Sequence, residues 1–192
     1  DFDVIIIGSG AAGMSAAIEA RQAGASVMVL EADDHLGGAT RNSTGVVYAC
    51  DTSTQKEKGI SDSADATYAY IMTLNQHAVR PDLIRHYCDE SAAMLEWLKD
   101  KGIEFPAAML VHSDITDTQR GHTSSSFGLG IADALINRAG ALGVETALGT
   151  RVDGLIVEDG RIVGITADGT DLRAGSVVIA TGGFGNSSEM LA

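Results

Sequence analysis

The sequence predicts an α/β fold in three layers, with a parallel sheet carrying an inserted antiparallel β-meander, on three observations. The apolar run Phe2-Asp3-Val4-Ile5-Ile6-Ile7 passes through Gly8-Ser9-Gly10-Ala11-Ala12-Gly13 into an Ala-rich helical stretch, and Val27-Met28-Val29-Leu30-Glu31 completes a βαβ unit. Asp159-Gly160 and Asp168-Gly169 mark two hairpin turns between short apolar runs. Ser176-Val177-Val178-Ile179-Ala180 is continuously apolar, as suits a strand buried on both faces of a parallel sheet.

Each element has a local justification. Gly8 permits a tight strand-to-helix turn, Gly10 lets the backbone close on a pyrophosphate, and Gly13 lets the helix pack tightly on the strand. The helix N-terminus then offers N–H groups and the positive end of its dipole to phosphates. Ala16, Ala17, Ile18 and Ala20 allow close packing, and Gly24 stops the helix. Glu31 lies roughly 20 residues beyond the glycines, where a carboxylate accepts ribose hydroxyls and disfavours a 2′-phosphate. The pattern is that of a dinucleotide site.

The Gly37-Gly38 and Asn42-Ser43-Thr44-Gly45 clusters predict a long irregular loop over residues 31–51. Asp62 and Ser63 cap a helix reaching about His77, and Pro81 starts another over residues 82–101. In the second, Ile84, Cys88, Leu95 and Leu98 share one face, with Trp97 at its shoulder and Gly102 as the stop, which marks a packing helix. Residues 127–142 form a further helix. Residues 144–146, 154–158, 161–167 and 170–173 follow as a meander of short strands, and residues 176–180 form the buried strand. Thr181-Gly182-Gly183 then leaves room at the carboxyl edge, where open α/β sheets take their cofactors. Asn186-Ser187-Ser188-Glu189 supplies helix-starting caps.

With 192 residues, 45% of them hydrophobic, the chain can fill one α/β core or one domain with a small insertion. Its net charge of −13, without a basic cluster, lacks the footprint of a nucleic-acid partner. The apolar stretches at residues 4–7 and 177–180 fall far short of the ~20 residues that span a bilayer. Cys50 and Cys88 share no CxxC spacing and read as two free thiols, which leaves the compartment open. There is no internal repeat.

The fingerprint, Glu31, Leu36-Gly37-Gly38-Ala39-Thr40, Glu96-Trp97-Leu98, Arg120-Gly121-His122, the meander and Ala180-Thr181-Gly182-Gly183-Phe184 occur in an order that resembles the fumarate reductase/succinate dehydrogenase flavoprotein family. The resemblance implies a Rossmann-like FAD-binding domain over residues 1–192, as the N-terminal part of a larger flavoenzyme. The substrate or capping domain and the C-terminal FAD-domain segment would then lie outside the chain. It places Gly8, Ser9, Gly10, Ala11, Ala12 and Gly13 at the pyrophosphate, with Glu31 and Ala32 at the adenosine ribose. Gly38, Ala39, Thr40, Ser43, Thr44, Gly45 and Val46 would lie along the pyrophosphate and isoalloxazine. The Val152 backbone would meet the adenine, and Ala180, Thr181 and Gly182 would close the site.

Family members with covalently attached flavin carry histidine where this chain has Ala39, so noncovalent FAD is expected; His35, nearby, reads as a loop residue. Val46 replaces the second glycine of a Gly-Gly pair usual in dicarboxylate-reducing members. That replacement, the loop leading to Val47-Tyr48, Tyr87-Cys88 and Arg120-Gly121-His122 look more like the bacterial 3-ketosteroid dehydrogenases. The implied substrate is a small molecule, a steroid or an enoate.

Oxidation beside a carbonyl needs hydride exchange with the flavin, a proton-transfer side chain and donors to the carbonyl. The resemblance puts the last two beyond Ala192, so no catalytic residue is assigned and the electron partner stays open. Arg120 and His122 are the local pair to consider, as a proton relay or as an ion pair and loop anchor. His112, Asp114 and Asp117 lack a complete metal-ligand pattern, and no metal is expected. Ser124-Ser125-Ser126 lacks the strand-elbow setting of a hydrolase nucleophile. Tyr48 is either a satisfied buried aromatic or a group on the substrate side of the flavin. The leading expectation is an FAD-dependent oxidoreductase of a CH–CH or C=C bond, ketosteroid dehydrogenase-like. The alternatives are a fumarate reductase-like enoate reductase and a non-catalytic flavin-carrying module. The stretch shown holds no targeting segment, and the expected setting is cytoplasmic.

Overall fold

A computed structural model describes residues 1–113, 115–185 and 187–192, with the side chain of every one of these except Glu189. Asp114 and Asn186 lie outside the described residues, as does the Glu189 side chain considered as part of a helix start. In chain order the first elements are β1 (Phe2–Ile7), α1 (Ala11–Gln22), β2 (Val27–Leu30), α2 (Gly38–Arg41), β3 (Val46–Tyr48), α3 (Ser53–Glu57), α4 (Ala64–Leu74) and α5 (Pro81–Asp100). After them come β4 (Leu110–Val111), β5 (Gly121–Thr123), α6 (Phe127–Ala141), β6 (Glu145–Ala147), β7 (Val152–Glu158), β8 (Arg161–Ala167), β9 (Thr170–Ile179) and α7 (Ser188–Leu191). Two units divide the chain, one formed by Asp1–Asn42 with Ile131–Ala192 and the other by Ser43–Gly130.

The first unit is a six-stranded sheet in the order β6-β2-β1-β9-β8-β7. Strands β6, β2, β1 and β9 run parallel, whereas β7, β8 and β9 form an antiparallel meander. Its two turns place Asp159 and Asp168 at φ 49° and 48°, each followed by a positive-φ glycine, the geometry that makes Asp-Gly a hairpin signal. Ile5, Leu30, Ile165 and Ala167 form a buried cluster where the parallel and antiparallel halves meet.

Three expectations are corrected here. Residues 144–146 do not begin the meander: the strand is β6, parallel to β2, with Met28 opposite Glu145. The chain after it is drawn toward the end of β2 instead of turning back, because Gly149 and Thr150 donate their N–H groups to the Asp33 and Glu31 carbonyls. Residues 170–173 and 176–180 are not two strands. β9 is continuous, antiparallel to β8 over its first residues and parallel to β1 from Ala174 onward. Gly175 lies where the strands approach closely, since a Cβ there would sit 3.1 Å from the Asp3 carbonyl oxygen. Nor is β9 buried on both faces, for Ile179 is 62% exposed, whereas the successive residues Ile5 and Ile6 of β1 are both fully buried. A strand entered from a hairpin has no preceding crossover helix to cover it, unlike the usual parallel strand.

In the second unit β3, β5 and β4 form a small antiparallel sheet. The irregular loop expected over residues 31–51 thus contains α2, entered through Gly37 at φ 115°, and β3, which becomes a strand by pairing with β5. Helix α3 is closed by a reciprocal capping box between Thr52 and Gln55, a Thr-x-x-Gln signal readable in the sequence. Ser63 caps α4, which ends at Leu74 before Gln76 and His77 adopt φ of 51° and 58°. Pro81 opens α5, which buries Cys88, Ser91, Leu95 and Leu98. Among the described residues no helix is long and apolar enough to cross a membrane, and no group of three His, Cys, Asp or Glu side chains is placed to hold a metal.

Candidate functional site

The turn from β1 to α1 is built by backbone touching backbone. A Cβ at Gly8, where φ is 100°, would lie 2.5 Å from the Ala180 carbonyl oxygen, and one at Gly13 would lie 1.9 Å from the Gly8 carbonyl oxygen. Main-chain hydrogen bonds complete the junction, from Gly8 N to the Leu30 carbonyl at 2.8 Å and from Ala180 N to the Ile7 carbonyl at 2.9 Å. Gly10 is different: a Cβ there would meet only the Thr40 hydroxyl, at 3.7 Å. Packing therefore does not require glycine at Gly10. The space kept clear above it, with Gly38 approaching from α2, fits a pyrophosphate at the N-terminus of α1.

Two hydroxyls fasten the α2 segment to this turn. Thr40 Oγ1 accepts from Ala11 N at 2.9 Å, and Ser9 Oγ accepts from Gly37 N at 3.0 Å. Glu31, buried at the end of β2, accepts at Oε2 from both the N–H and the hydroxyl of Ser9, and at Oε1 from Asp33 N at 3.1 Å. Burial raises the Glu31 pKa, but the hydrogen bonds from Ser9, Asp33 and Ala32 outweigh it and hold the carboxyl below its ordinary value. It is a fixed anion at neutral pH. Ala12, Ala32 and Ala39 are exposed. Val152 opens β7, the edge strand of the sheet, and Thr181 and Gly182 follow β9 at exposed positions. Arg41 anchors α2, donating to the Leu36 carbonyl and pairing with Asp133.

Ser43, Thr44, Gly45 and Val46 belong to the second unit. Gly128 N donates to the Ser43 carbonyl and Ser124 N to the Gly45 carbonyl, so the segment is clamped to the turn after β5. A Cβ at Gly45 would lie 2.4 Å from the Phe127 carbonyl carbon. Val46 is 37% exposed and overhangs Gly121, where a Cβ would meet the Val111 and Val46 methyls. Tyr48, also half-exposed, receives the Tyr87 hydroxyl proton at its carbonyl. Burial, with Cys88, Cys50 and Tyr48 nearby, pushes the Tyr87 pKa up to about 12, so its hydroxyl is protonated at neutral pH.

Arg120 and His122 have separate tasks. Arg120 forms a buried two-point ion pair with Asp62, at 2.7 and 2.8 Å, and its guanidinium lies over the Tyr70 ring. Asp62 is therefore an ion-pair partner, while Ser63 caps α4. His122 contacts the Thr52 hydroxyl and the Arg120 carbonyl. Ser124-Ser125-Ser126 lies between β5 and α6. The Ser124 hydroxyl accepts from Ser126 N, and the Ser125 hydroxyl donates to the Glu104 carboxylate at 3.3 Å. Cys50 and Cys88 are buried free thiols, the Cys50 thiol donating to the Cys88 carbonyl.

A family model described as "FAD binding domain" matches residues 3–192. The chain is 29% identical over 196 residues to an NADH:fumarate oxidoreductase of Klebsiella pneumoniae, covering 99% of this chain and 21% of that protein. It is 32% identical over 198 residues to a vinyl phenol reductase of Lactiplantibacillus plantarum, covering 99% of this chain and 39% of the relative. Among solved structures, a 3-ketosteroid Δ4-(5α)-dehydrogenase of Rhodococcus jostii in complex with 4-androstene-3,17-dione aligns with a TM-score of 0.88 and 30% identity, over 99% of this chain and 47% of that one. The chain thus spans less than half the length of each of these relatives.

Proposed function

Because the chain belongs to the FAD binding domain family, we propose that it holds a noncovalent FAD for an oxidoreductase acting on a CH–CH or C=C bond next to a carbonyl, with a 3-ketosteroid or similarly bulky apolar ketone as substrate. The observation that carries the cofactor assignment is the clear space over Gly10, bounded by the close-packed Gly8, Gly13 and Ala180 and accompanied by the buried carboxylate of Glu31. In this reading the Gly8–Gly13 turn and Gly38, Ala39 and Thr40 take the pyrophosphate, and Glu31 with Ala32 takes the adenosine ribose. The Val152 backbone takes the adenine, Ser43, Thr44, Gly45 and Val46 line the isoalloxazine, and Ala180, Thr181 and Gly182 close the site. FAD supplies hydride exchange when bound. The chain's own residues hold it, fix its ribose and keep side chains out of its path. Ala39 offers no nucleophile for covalent attachment.

The likeness to the Rhodococcus dehydrogenase and the Val46 side chain support the bulky substrate. An enoate reductase is the second reading, favoured by the identities with the fumarate and vinyl phenol enzymes over 99% of the chain. Two measurements on the flavin-loaded protein test the proposal. Acid precipitation is expected to release the flavin into the supernatant, and yellow colour kept by the denatured protein would reject noncovalent binding. In anaerobic assays a 3-ketosteroid is expected to reduce the flavin, with no reoxidation of reduced flavin by fumarate. Fumarate-driven reoxidation without any ketosteroid response would establish the second reading instead.

A further inference from the structure

The small sheet of the second unit has one packed face and one bare one. Side chains alternate between the faces along each strand, and the register sets Leu110 opposite His122 on the packed face, where both are buried. On the other face Tyr48 of β3 and Val111 of β4 stand opposite Gly121 of β5 from its two sides, and Val46 stands opposite Thr123. Val46, Tyr48 and Val111 all remain exposed, Val111 at 40%. Gly121 lets the outer strands meet. A Cβ there would lie 2.6 Å from Val111 Cγ2 and 3.0 Å from Val46 Cγ1, so a methyl from β3 and a methyl from β4 close over the same bare backbone. The three strands thus present a continuous apolar ledge about 10 Å wide, two inter-strand spacings. Among the described residues, the side chains that the register assigns to this face, Val46, Tyr48, Val111 and Thr123, are all uncharged.

We propose that Val111 is a specificity-determining residue for the substrate, forming with Val46 a single ledge across Gly121 on which the flat skeleton of a fused-ring ketone lies. The proposal rests on the reading of Val46 as a contact of a bulky apolar substrate. Scattered exposed apolar side chains need no explanation, but a contiguous apolar face marks a surface that something covers. Width and charge select the occupant. A dicarboxylate would find no cation on this face to pair with either of its carboxylates and would leave the valine methyls uncovered, whereas a neutral fused-ring skeleton covers them. Gly121 is the residue that makes the ledge continuous, because any side chain there would push Val111 and Val46 apart.

The test is equilibrium titration of the flavin-loaded full chain with progesterone, a 3-ketosteroid, followed by the flavin spectrum, for the wild type, Val46→Ala, Val111→Ala and the double variant. Withdrawing two covered methyl groups corresponds to roughly tenfold in affinity. Each single variant is expected to lose about that factor, with FAD affinity and thermal unfolding unchanged. The double variant is expected to lose clearly less than the roughly hundredfold of two independent contacts, because side chains that share one surface couple. Wild-type affinity in Val111→Ala beside a loss in Val46→Ala overturns the proposal and leaves the bulky-ketone reading standing. So does a full hundredfold loss in the double variant, which would make the two valines separate contacts, or a matching loss of FAD affinity in Val111→Ala, which would make Val111 structural. No binding of progesterone by the wild type overturns the proposal and that reading together. Should Val111→Ala fail to fold, Val111→Thr keeps the β-branched shape, places a hydroxyl on the ledge and is expected to weaken progesterone in the same way; unchanged binding by that variant overturns the proposal.

Discussion

Thr52 Oγ1 and His122 Nε2 lie 2.8 Å apart, and the other ring nitrogen, Nδ1, lies 2.9 Å from the Arg120 carbonyl oxygen. A carbonyl only accepts, so Nδ1 carries the proton and Nε2 accepts from the Thr52 hydroxyl. The pair joins the cap of α3 to β5 and holds the imidazole neutral. Burial pushes the His122 pKa down, opposed by the Arg120 and Val47 carbonyls.

The sign of the resulting pH dependence follows. With the folded pKa depressed, the unfolded chain takes up a proton below about pH 6.5 that the folded chain refuses. Stability contributed by neutral His122 is complete above that pH and falls as pH drops toward the depressed value, by at most about 1.4 kcal/mol per pH unit. Urea denaturation at pH 7.5 and 5.5 is expected to show a steeper loss for the wild type than for His122→Asn. Equal losses would mean that His122 titrates alike in both states.

The Asp62–Arg120 pair is buried on both sides. Asp62→Ala strands a buried guanidinium and is expected to cost about 3–5 kcal/mol in unfolding free energy, whereas replacing both partners by apolar residues costs less. A loss under about 1 kcal/mol for Asp62→Ala would show that Arg120 readily finds water or another acceptor.

Gly10 and Gly13 are expected to respond to alanine in opposite ways. Gly13→Ala drives a methyl into the Gly8 carbonyl and should destabilise the fold by about 1–3 kcal/mol. Gly10→Ala meets nothing closer than 3.7 Å, so thermal unfolding should be unchanged while FAD affinity falls at least about tenfold. Normal FAD binding by Gly10→Ala would remove Gly10 from the pyrophosphate site.

Val46→Gly probes the substrate. If Val46 packs against a bulky apolar ligand, the change is expected to weaken ketosteroid binding by about 1–3 kcal/mol, read by equilibrium titration of the flavin-loaded protein. Unchanged binding would reduce Val46 to a strand residue over Gly121.

The βαβ unit, the starts of α4 and α5 and both meander turns were legible in the sequence because they depend on residues a few positions apart. Gly8 must adopt positive φ, Ser63 must cap and Asp-Gly must turn, whatever lies elsewhere in the chain. The capping box at Thr52 and Gln55 was equally local and was overlooked. Tertiary structure alone decided that β9 runs unbroken past Gly175, that β3 becomes a strand against β5, and that Arg120 belongs to Asp62 and His122 to Thr52. Likewise, the sequence placed Glu31 at the end of a strand, but only the fold filled its Oε2 with Ser9. A turn or a cap is specified by the allowed torsions and side-chain reach of adjacent residues, whereas a partner dozens of residues away is specified by which groups burial leaves to satisfy one another.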